Sequence, residues 1–182
     1  TTLFRSQLIT QEPEEKIVVL SAVSGTTNTL VNIALALSKN NQSEANALIE
    51  ELYHTYQEFC QQLLRHKASQ HQALQIIEAH FTALRSIADS VYSGEIEKEI
   101  LAQGELLSTK LFVTYLEQEN VAVTLLPALE FMRIDEENEP DTAYIRERLE
   151  ACLTRNPEQQ LFITQGYICL NSQQKIDNLQ RG

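Results

Sequence analysis

A short apolar run that leads through a turn into a helical pattern limits this chain to folds that alternate strands and helices. Lys16–Leu20 is rich in β-branched residues, as in a buried strand. From about Asn28 to Ser38, apolar residues recur every three or four positions, as on one face of a helix. Small and hydroxyl side chains fill the turn at 21–27. Because ligands bind where strands of open α/β sheets end, this turn is a candidate binding site.

A helical hairpin is predicted after this unit. Ser43 is a favourable N-cap for a long helix with apolar residues through Leu64. A second helix carries apolar residues at alternating spacings of three and four over 74–91, and we expect Ser93-Gly94 to end it. The two helices together predict an antiparallel hairpin.

The second half of the chain mixes helices and strands. A third helix is predicted from about Glu95 to Gln118, with an interruption at Gly104. Strands are predicted at Val121–Leu126, Leu161–Thr164 and near Lys175–Leu179.

One more helix separates two of these strands. Residues 130–139 are irregular and acidic, and Asp141 is a plausible N-cap for a helix through Leu153. Strands separated by helices predict an α/β fold with a mostly parallel sheet and helices on both faces.

Composition restricts the partners. The formal net charge is −11, and a protein that binds phosphate backbones needs a basic face, so we expect no nucleic-acid partner. No apolar run reaches the roughly 18 residues that span a bilayer, so we expect no membrane partner either. Three widely spaced cysteines, Cys60, Cys152 and Cys169, suggest neither a disulfide framework nor a zinc site and favour the cytoplasm.

Polar residues near the predicted strand ends have two interpretations each. Thr26, Thr27 and Asn28 would help to bind a phosphate or carboxylate, or would merely cap the helix. Glu105 would bind an ammonium group, or would be a solvated helix residue. Arg181 would bind a carboxylate or phosphate, or would lie on the surface.

Other chemistries find little support. Tyr167 would line a pocket or belong to the core, and the acidic loop 135–137 would bind a cation or be solvated. No G-x-S-x-G, G-x-x-x-x-G-K-[ST] or G-x-G-x-x-G motif occurs in the sequence.

Four segments together resemble the aspartokinases of the amino-acid kinase superfamily. They are KIVVLSAVSGTTNTL at 16–30, GELLSTKLF at 104–112, LFITQGYI at 161–168 and LQRG at 179–182. The resemblance implies a three-layer αβα sandwich with a helical hairpin insertion. It also implies an enzyme that uses ATP and Mg²⁺ to convert L-aspartate to 4-phospho-L-aspartate, the first step of lysine, threonine and methionine synthesis. A homo-oligomer is implied for the full-length protein.

The same resemblance implies roles for individual residues. Ser21 looks like the residue beside the transferred phosphate, and Thr27 like the hydroxyl that contacts aspartate. Glu105 looks like the acid that binds the substrate ammonium, and Tyr167 takes an aromatic position where the family often has Phe. Arg181 looks like the arginine that binds a substrate carboxylate.

The sequence also departs from the family pattern. The glycine-rich lysine loop K-F-G-G-T-S, the G-S-D segment after R-G and the nucleotide-binding half are absent from it. We therefore expect residues 1–182 to be a single domain, the aspartate-binding part of a kinase catalytic domain, without activity on its own. Alternatives are a kinase for glutamate or acetylglutamate, and a non-catalytic assembly module.

Overall fold

The fold is built from six helices and five strands in the part of the chain that the structure describes. The structure is a computed structural model that describes residue 9 and residues 14–179. In chain order the elements are β1 (Lys16–Leu20), α1 (Thr26–Ser38), α2 (Gln42–Leu63), α3 (Lys67–Ala88), α4 (Gly94–Gln118), β2 (Thr124–Leu126), α5 (Ala128–Phe131), α6 (Thr142–Thr154), β3 (Leu161–Gln165), β4 (Ile168–Leu170) and β5 (Ile176–Asn178).

A three-stranded parallel sheet forms the centre, in the order β1-β3-β2. Successive residues of β3 face opposite sides of it. Ile163 packs into the large core built with α1, α2, α3 and α4, whereas Phe162 packs against Phe131 and Cys152 of α5 and α6. Helices therefore cover both faces, and the predicted α/β fold of the αβα type is confirmed. A small antiparallel pair, β4 with β5, follows the sheet.

The predicted hairpin is present as α2 and α3, but its caps differ from the expected ones. The N-cap of α2 is Asn41, whose side-chain oxygen accepts from the Glu44 amide at 3.3 Å, so the assignment of Ser43 as the cap is wrong. Ser93-Gly94 does not end α3. Instead, the Ser93 hydroxyl oxygen accepts from the Ile96 amide at 3.2 Å and begins α4. Serine and a following acidic turn serve a helix start better than a helix end.

The later elements follow the predictions with two corrections, and two short elements, α5 and β4, were not predicted. Helix α4 continues through Gly104, so the expected interruption is wrong. Only Thr124–Leu126 of the predicted strand at 121–126 pairs with β3, because Val121 still donates its amide to the Leu116 carbonyl at the end of α4. Asp141 caps α6 as predicted.

No helix within residues 14–179 is both long and apolar enough to cross a lipid bilayer.

A half-buried histidine at the interface of α3 and α4 predicts acid-sensitive stability. His80 Nδ1 lies 3.0 Å from Gln103 Oε1, and its Nε2 lies 3.0 Å from Lys110 Nζ. Burial lowers the pKa of His80, and the nearby Lys110 ammonium lowers this pKa further, while the bond to Gln103 opposes the shift. Folding therefore favours the neutral ring. This stability is present above about pH 6.5 and is lost as pH falls through the folded pKa.

We expect the urea midpoint to fall between pH 7.5 and pH 5, and to fall less in His80→Gln. His54→Gln serves as the control, because His54 is exposed and its ring contacts only Gln57 among the hydrogen bonds of α2. Equal pH dependence of the wild type and His80→Gln would contradict this assignment.

Candidate functional site

The turn after β1 and the turn after β3 meet at one edge of the sheet. The strands are parallel neighbours, with Leu20 paired to Gln165, and the Gly166 amide donates to the Leu20 carbonyl at 2.8 Å. Both turns therefore lie at the carboxyl ends of the strands, where parallel α/β sheets bind ligands.

Helix α4 brings a buried acid to the first turn. Glu105 is only 3% exposed, and its Oε1 accepts a hydrogen bond from the Ala22 amide at 3.3 Å. One helical turn later, the Ser108 hydroxyl donates to the Ser21 carbonyl at 3.1 Å. The structure thus brings together two of the predicted site residues, Ser21 and Glu105, and excludes the interpretation of Glu105 as a solvated helix residue.

The start of α1 is not capped by a side chain. Gly25 takes the N-cap position in the left-handed region, at φ 88°, and makes no side-chain cap hydrogen bond. Thr26 is buried, and its hydroxyl lies 2.9 Å from the Tyr56 hydroxyl of α2. The capping interpretation of Thr26, Thr27 and Asn28 is therefore wrong. Thr27 is half-buried in the first turn of α1, next to the strand-end turn.

The Thr26–Tyr56 contact predicts a stability effect. Burial raises the pKa of Tyr56 to about 12, so its hydroxyl is protonated at neutral pH. We expect Tyr56→Phe to lower the free energy of unfolding by about 1–2 kcal/mol, because it leaves the Thr26 hydroxyl buried without this partner. Urea denaturation measures the effect. Tyr53→Phe is the control, since the Tyr53 hydroxyl bonds to Glu78 at the surface. Equal losses in the two variants would contradict the prediction.

Tyr167 forms a tight turn after β3. Its φ is 65°, a left-handed conformation that costs a non-glycine residue roughly 1–3 kcal/mol. The Ile168 amide donates to the Gly166 carbonyl across this turn, and the Leu179 amide donates to the Tyr167 carbonyl, both at 2.7 Å. Tyr167 is half-buried and contacts two apolar clusters. Arg181 lies outside the described residues.

Two buried polar residues escaped the sequence analysis. The Gln165 amide donates to the Thr109 hydroxyl at 2.7 Å, and its Oε1 accepts from the Ala128 amide at 2.7 Å. The Thr109 hydroxyl in turn donates to the Glu105 carbonyl at 2.8 Å. Both residues lie in segments that carry the family resemblance, GELLSTKLF and LFITQGYI, and Gln165 also ends a fully buried strand.

A cavity of about 530 Å³ opens beside the first turn. Serine hydroxyls line part of it, and aromatic and aliphatic side chains line the rest. Its walls are Val19, Leu20, Ser21, Ala22, Val23, Ser24, Phe59, Leu63, Ser108 and Phe112. None of these is basic, so the cavity walls alone do not neutralise an anionic ligand.

The acidic loop at 135–139 is closed by its own hydrogen bonds. In the part of the chain that the structure describes, no group of three His, Cys, Asp or Glu side chains is placed to hold an ion. Asp135 Oδ1 instead accepts from the Glu137 and Glu139 amides at 2.9 and 3.0 Å, which closes the loop on itself.

The known proteins that this chain resembles are aspartokinases. No protein-family model matches the chain. It is 27% identical to the lysine-sensitive aspartokinase 3 of Escherichia coli over 180 residues, which are 97% of this chain and 39% of that protein. It is 28% identical to the bifunctional aspartokinase/homoserine dehydrogenase 2 of Escherichia coli over 166 residues, 88% of this chain and 20% of that protein. The chain thus spans two fifths or less of the length of these relatives.

The solved structures that the fold matches are also aspartate kinases. The fold matches Escherichia coli aspartokinase III in complex with aspartate and ADP with a TM-score of 0.76 and 28% identity, over 100% of this chain and 40% of that one. It matches the Clostridium acetobutylicum aspartate kinase with a TM-score of 0.71 at 13% identity, over 98% of this chain and 37% of that one, which supports the fold alone.

Proposed function

We propose that this chain, which is homologous to the aspartate kinases over its whole length, serves ATP-dependent phosphorylation of the side-chain carboxylate of L-aspartate. The observation that carries the proposal is the buried Glu105 carboxylate, which α4 holds against the turn after β1. The Escherichia coli aspartokinase III that this fold matches was solved with aspartate and ADP. The proposed product is 4-phospho-L-aspartate, the entry to lysine, threonine and methionine synthesis.

Aspartate carries one ammonium group and two carboxylates, and the proposed site offers a partner for each. Glu105 would pair with the α-ammonium, and a charge-assisted hydrogen bond of this kind is electrostatically stronger at a buried position than in water. The hydroxyl of Thr27 and the guanidinium of Arg181 would bind the carboxylates. Tyr167 would close the side of the site next to β3.

The nucleotide would lie towards Ser21 and the start of α1. The first turn of α1 contains no acidic residue, and no side chain caps it. A helix N-terminus of this kind favours the negative charge of a phosphate group, so the residues present fit the transferred phosphoryl group. ATP supplies this group. We propose that Mg²⁺ is bound mainly through the ATP phosphates, as is usual for this ion, since residues 14–179 present no cluster of metal ligands.

The contribution of these residues to the reaction would be positioning. Phosphoryl transfer asks little covalent chemistry of a protein, and depends on alignment of the attacking oxygen and on stabilisation of the developing charge. Glu105 would hold the α-ammonium of aspartate, and Thr27 would hold its α-carboxylate. The β-carboxylate oxygen would then face the phosphoryl group beside Ser21.

A coupled assay on the protein at its natural length tests the proposal. We expect ADP release with ATP and L-aspartate, and trapping of the acyl phosphate by hydroxylamine as the hydroxamate. L-glutamate and N-acetyl-L-glutamate should be turned over at least 100-fold less efficiently. Preference for either of them, or no hydroxamate from aspartate, would overturn the assignment.

We also propose that the protein acts as a homo-oligomer in the cytoplasm. Val31 and Leu35 lie one turn apart on α1 and are 44% and 49% exposed, which leaves an apolar strip for a subunit contact. Light scattering on the natural protein at about 10 μM tests this. A monomer at that concentration would contradict it.

A further inference from the structure

We infer that Gln165 and Thr109 are positioning residues, which hold the turn of α4 that carries Glu105 in register with the end of β3. The expected effect of these two residues on aspartate binding rests on the proposed function. Their effect on the position of Glu105 is independent of that function, because it follows from the hydrogen bonds alone.

The three groups form one directed chain of hydrogen bonds. The Ala128 amide can only donate, so the atom of Gln165 that faces it is the carbonyl oxygen Oε1, at 2.7 Å. The other end of the Gln165 side chain is therefore the NH₂ group, which donates to Thr109 at 2.7 Å. The Thr109 hydroxyl then donates to the Glu105 carbonyl, at 2.8 Å.

Burial makes each of these bonds costly to lose. Gln165 is 3% exposed, Thr109 0% and Glu105 3%. A buried amide or hydroxyl without its partner costs about 1–3 kcal/mol, and water does not reach these atoms to replace the bond. These hydrogen bonds through Gln165, Thr109 and Glu105, which we call the strut, therefore join β3 to α4 in the protein interior and not at the surface.

The strut ends at the residue whose side chain reaches the binding turn. The carbonyl of Glu105 is held by Thr109, and its carboxylate accepts from the Ala22 amide at 3.3 Å. A shift of α4 along or away from β3 would therefore move both the carbonyl and the carboxylate of Glu105. Gln165 also immediately precedes Gly166-Tyr167, so one side chain relates the acid on α4 to the aromatic turn on β3.

Helix α4 contains a matched control. Thr114 is also buried, at 1% exposure, and its hydroxyl also donates one turn back, to the Lys110 carbonyl at 3.1 Å. Its hydroxyl has no hydrogen bond to β3 among the described residues. Thr114→Val therefore removes the same local bond as Thr109→Val without cutting the strut.

The test compares Thr109→Val, Gln165→Met, Thr109→Ser and Thr114→Val in the protein at its natural length. The first readout is hydrogen exchange of a peptide that spans Ala22, followed by mass spectrometry. We expect about 10-fold faster exchange there in Thr109→Val and Gln165→Met, because the Glu105 acceptor is displaced. Thr109→Ser and Thr114→Val should match the wild type.

The second readout is steady-state kinetics. We expect the KM for L-aspartate to rise about 10-fold in Thr109→Val and Gln165→Met, with the KM for ATP within twofold and kcat within threefold. Gln165→Met cuts the same bond from the β3 side without placing a charge at this buried position, and far-UV circular dichroism of each variant shows whether it folds.

Exchange at Ala22 that is equal in Thr109→Val and Thr114→Val would overturn the positioning role. A uniform rise of exchange over all of α4 in Thr109→Val and Gln165→Met would do the same. Faster exchange confined to Ala22 supports the role even if the wild type does not phosphorylate aspartate, and in that case only the proposed function fails.

Discussion

Glu105→Gln is expected to raise the KM for L-aspartate about 100-fold and to leave the KM for ATP within a factor of two. Glutamine has nearly the same shape, and its oxygen still accepts from the Ala22 amide, which Glu105 Oε1 contacts at 3.3 Å. The substitution therefore removes the negative charge with little change in packing. Loss of a buried charged partner costs about 3 kcal/mol, which corresponds to about 100-fold in binding.

Initial-rate kinetics with aspartate as the varied substrate measures this effect. Glu117→Gln is the matched control, because Glu117 lies on the same helix and is exposed, with a bond to Gln72. It should keep wild-type constants. Equal constants for Glu105→Gln and Glu117→Gln would exclude Glu105 as the ammonium partner, and a loss limited to the KM for ATP would place Glu105 in the nucleotide site.

The order of elements could be predicted from the sequence because each has a strong periodic signal. The strand at Lys16–Leu20, the hairpin and the strand that begins at Leu161 all appear where the pattern places them. The expected burial of the first strand is wrong, because β1 lies at the edge of the sheet and leaves Ile17 and Val19 39% and 62% exposed. Other errors lie at the ends of the elements. Ser43 and Ser93 are both good caps by type, but Asn41 is as good a cap as Ser43, and a serine between two helices does not say which of them it belongs to.

Gly104 shows a different limit. Within a helical pattern, glycine suggests an interruption, because it lowers helix propensity. In the fold it lies where α4 packs tightly against Ala22 of the turn after β1, which only the tertiary arrangement reveals. The prediction from local propensity was wrong for that reason.

At the site too, the sequence motifs predicted some residues, while others depend on the tertiary arrangement. Ser21 and Glu105 were predicted from motifs, and the structure brings them together through Ala22 and Ser108. Gln165 and Thr109 were missed because their importance lies in hydrogen bonds between residues 56 positions apart. No pattern of spacing along one element carries that information.

Gly104→Ala is expected to destabilise the fold by about 1–3 kcal/mol, although alanine is the better helix former by about 1 kcal/mol. A Cβ at this position would lie 3.0 Å from Ala22 Cβ, 3.2 Å from Leu30 Cδ1 and 3.3 Å from Thr26 Cγ2. Relief of three such contacts moves α4 away from both the turn and the start of α1. The steric cost therefore exceeds the gain in propensity.

The same displacement should reach the binding site. Glu105 follows Gly104 directly, and its bond to the Ala22 amide bridges the gap that the new methyl group widens. We expect the KM for L-aspartate to rise at least 10-fold in Gly104→Ala, in addition to a lower urea midpoint.

Gly94→Ala separates this effect from helix propensity. Gly94 is the first residue of the same helix, and a Cβ there meets no atom within 4 Å among the described residues. This variant should be neutral or slightly more stable than the wild type, with unchanged kinetics. If Gly104→Ala is as stable as Gly94→Ala, the close approach of α4 to the turn does not limit the fold. If the KM for aspartate is also unchanged, Glu105 does not depend on that approach for its position.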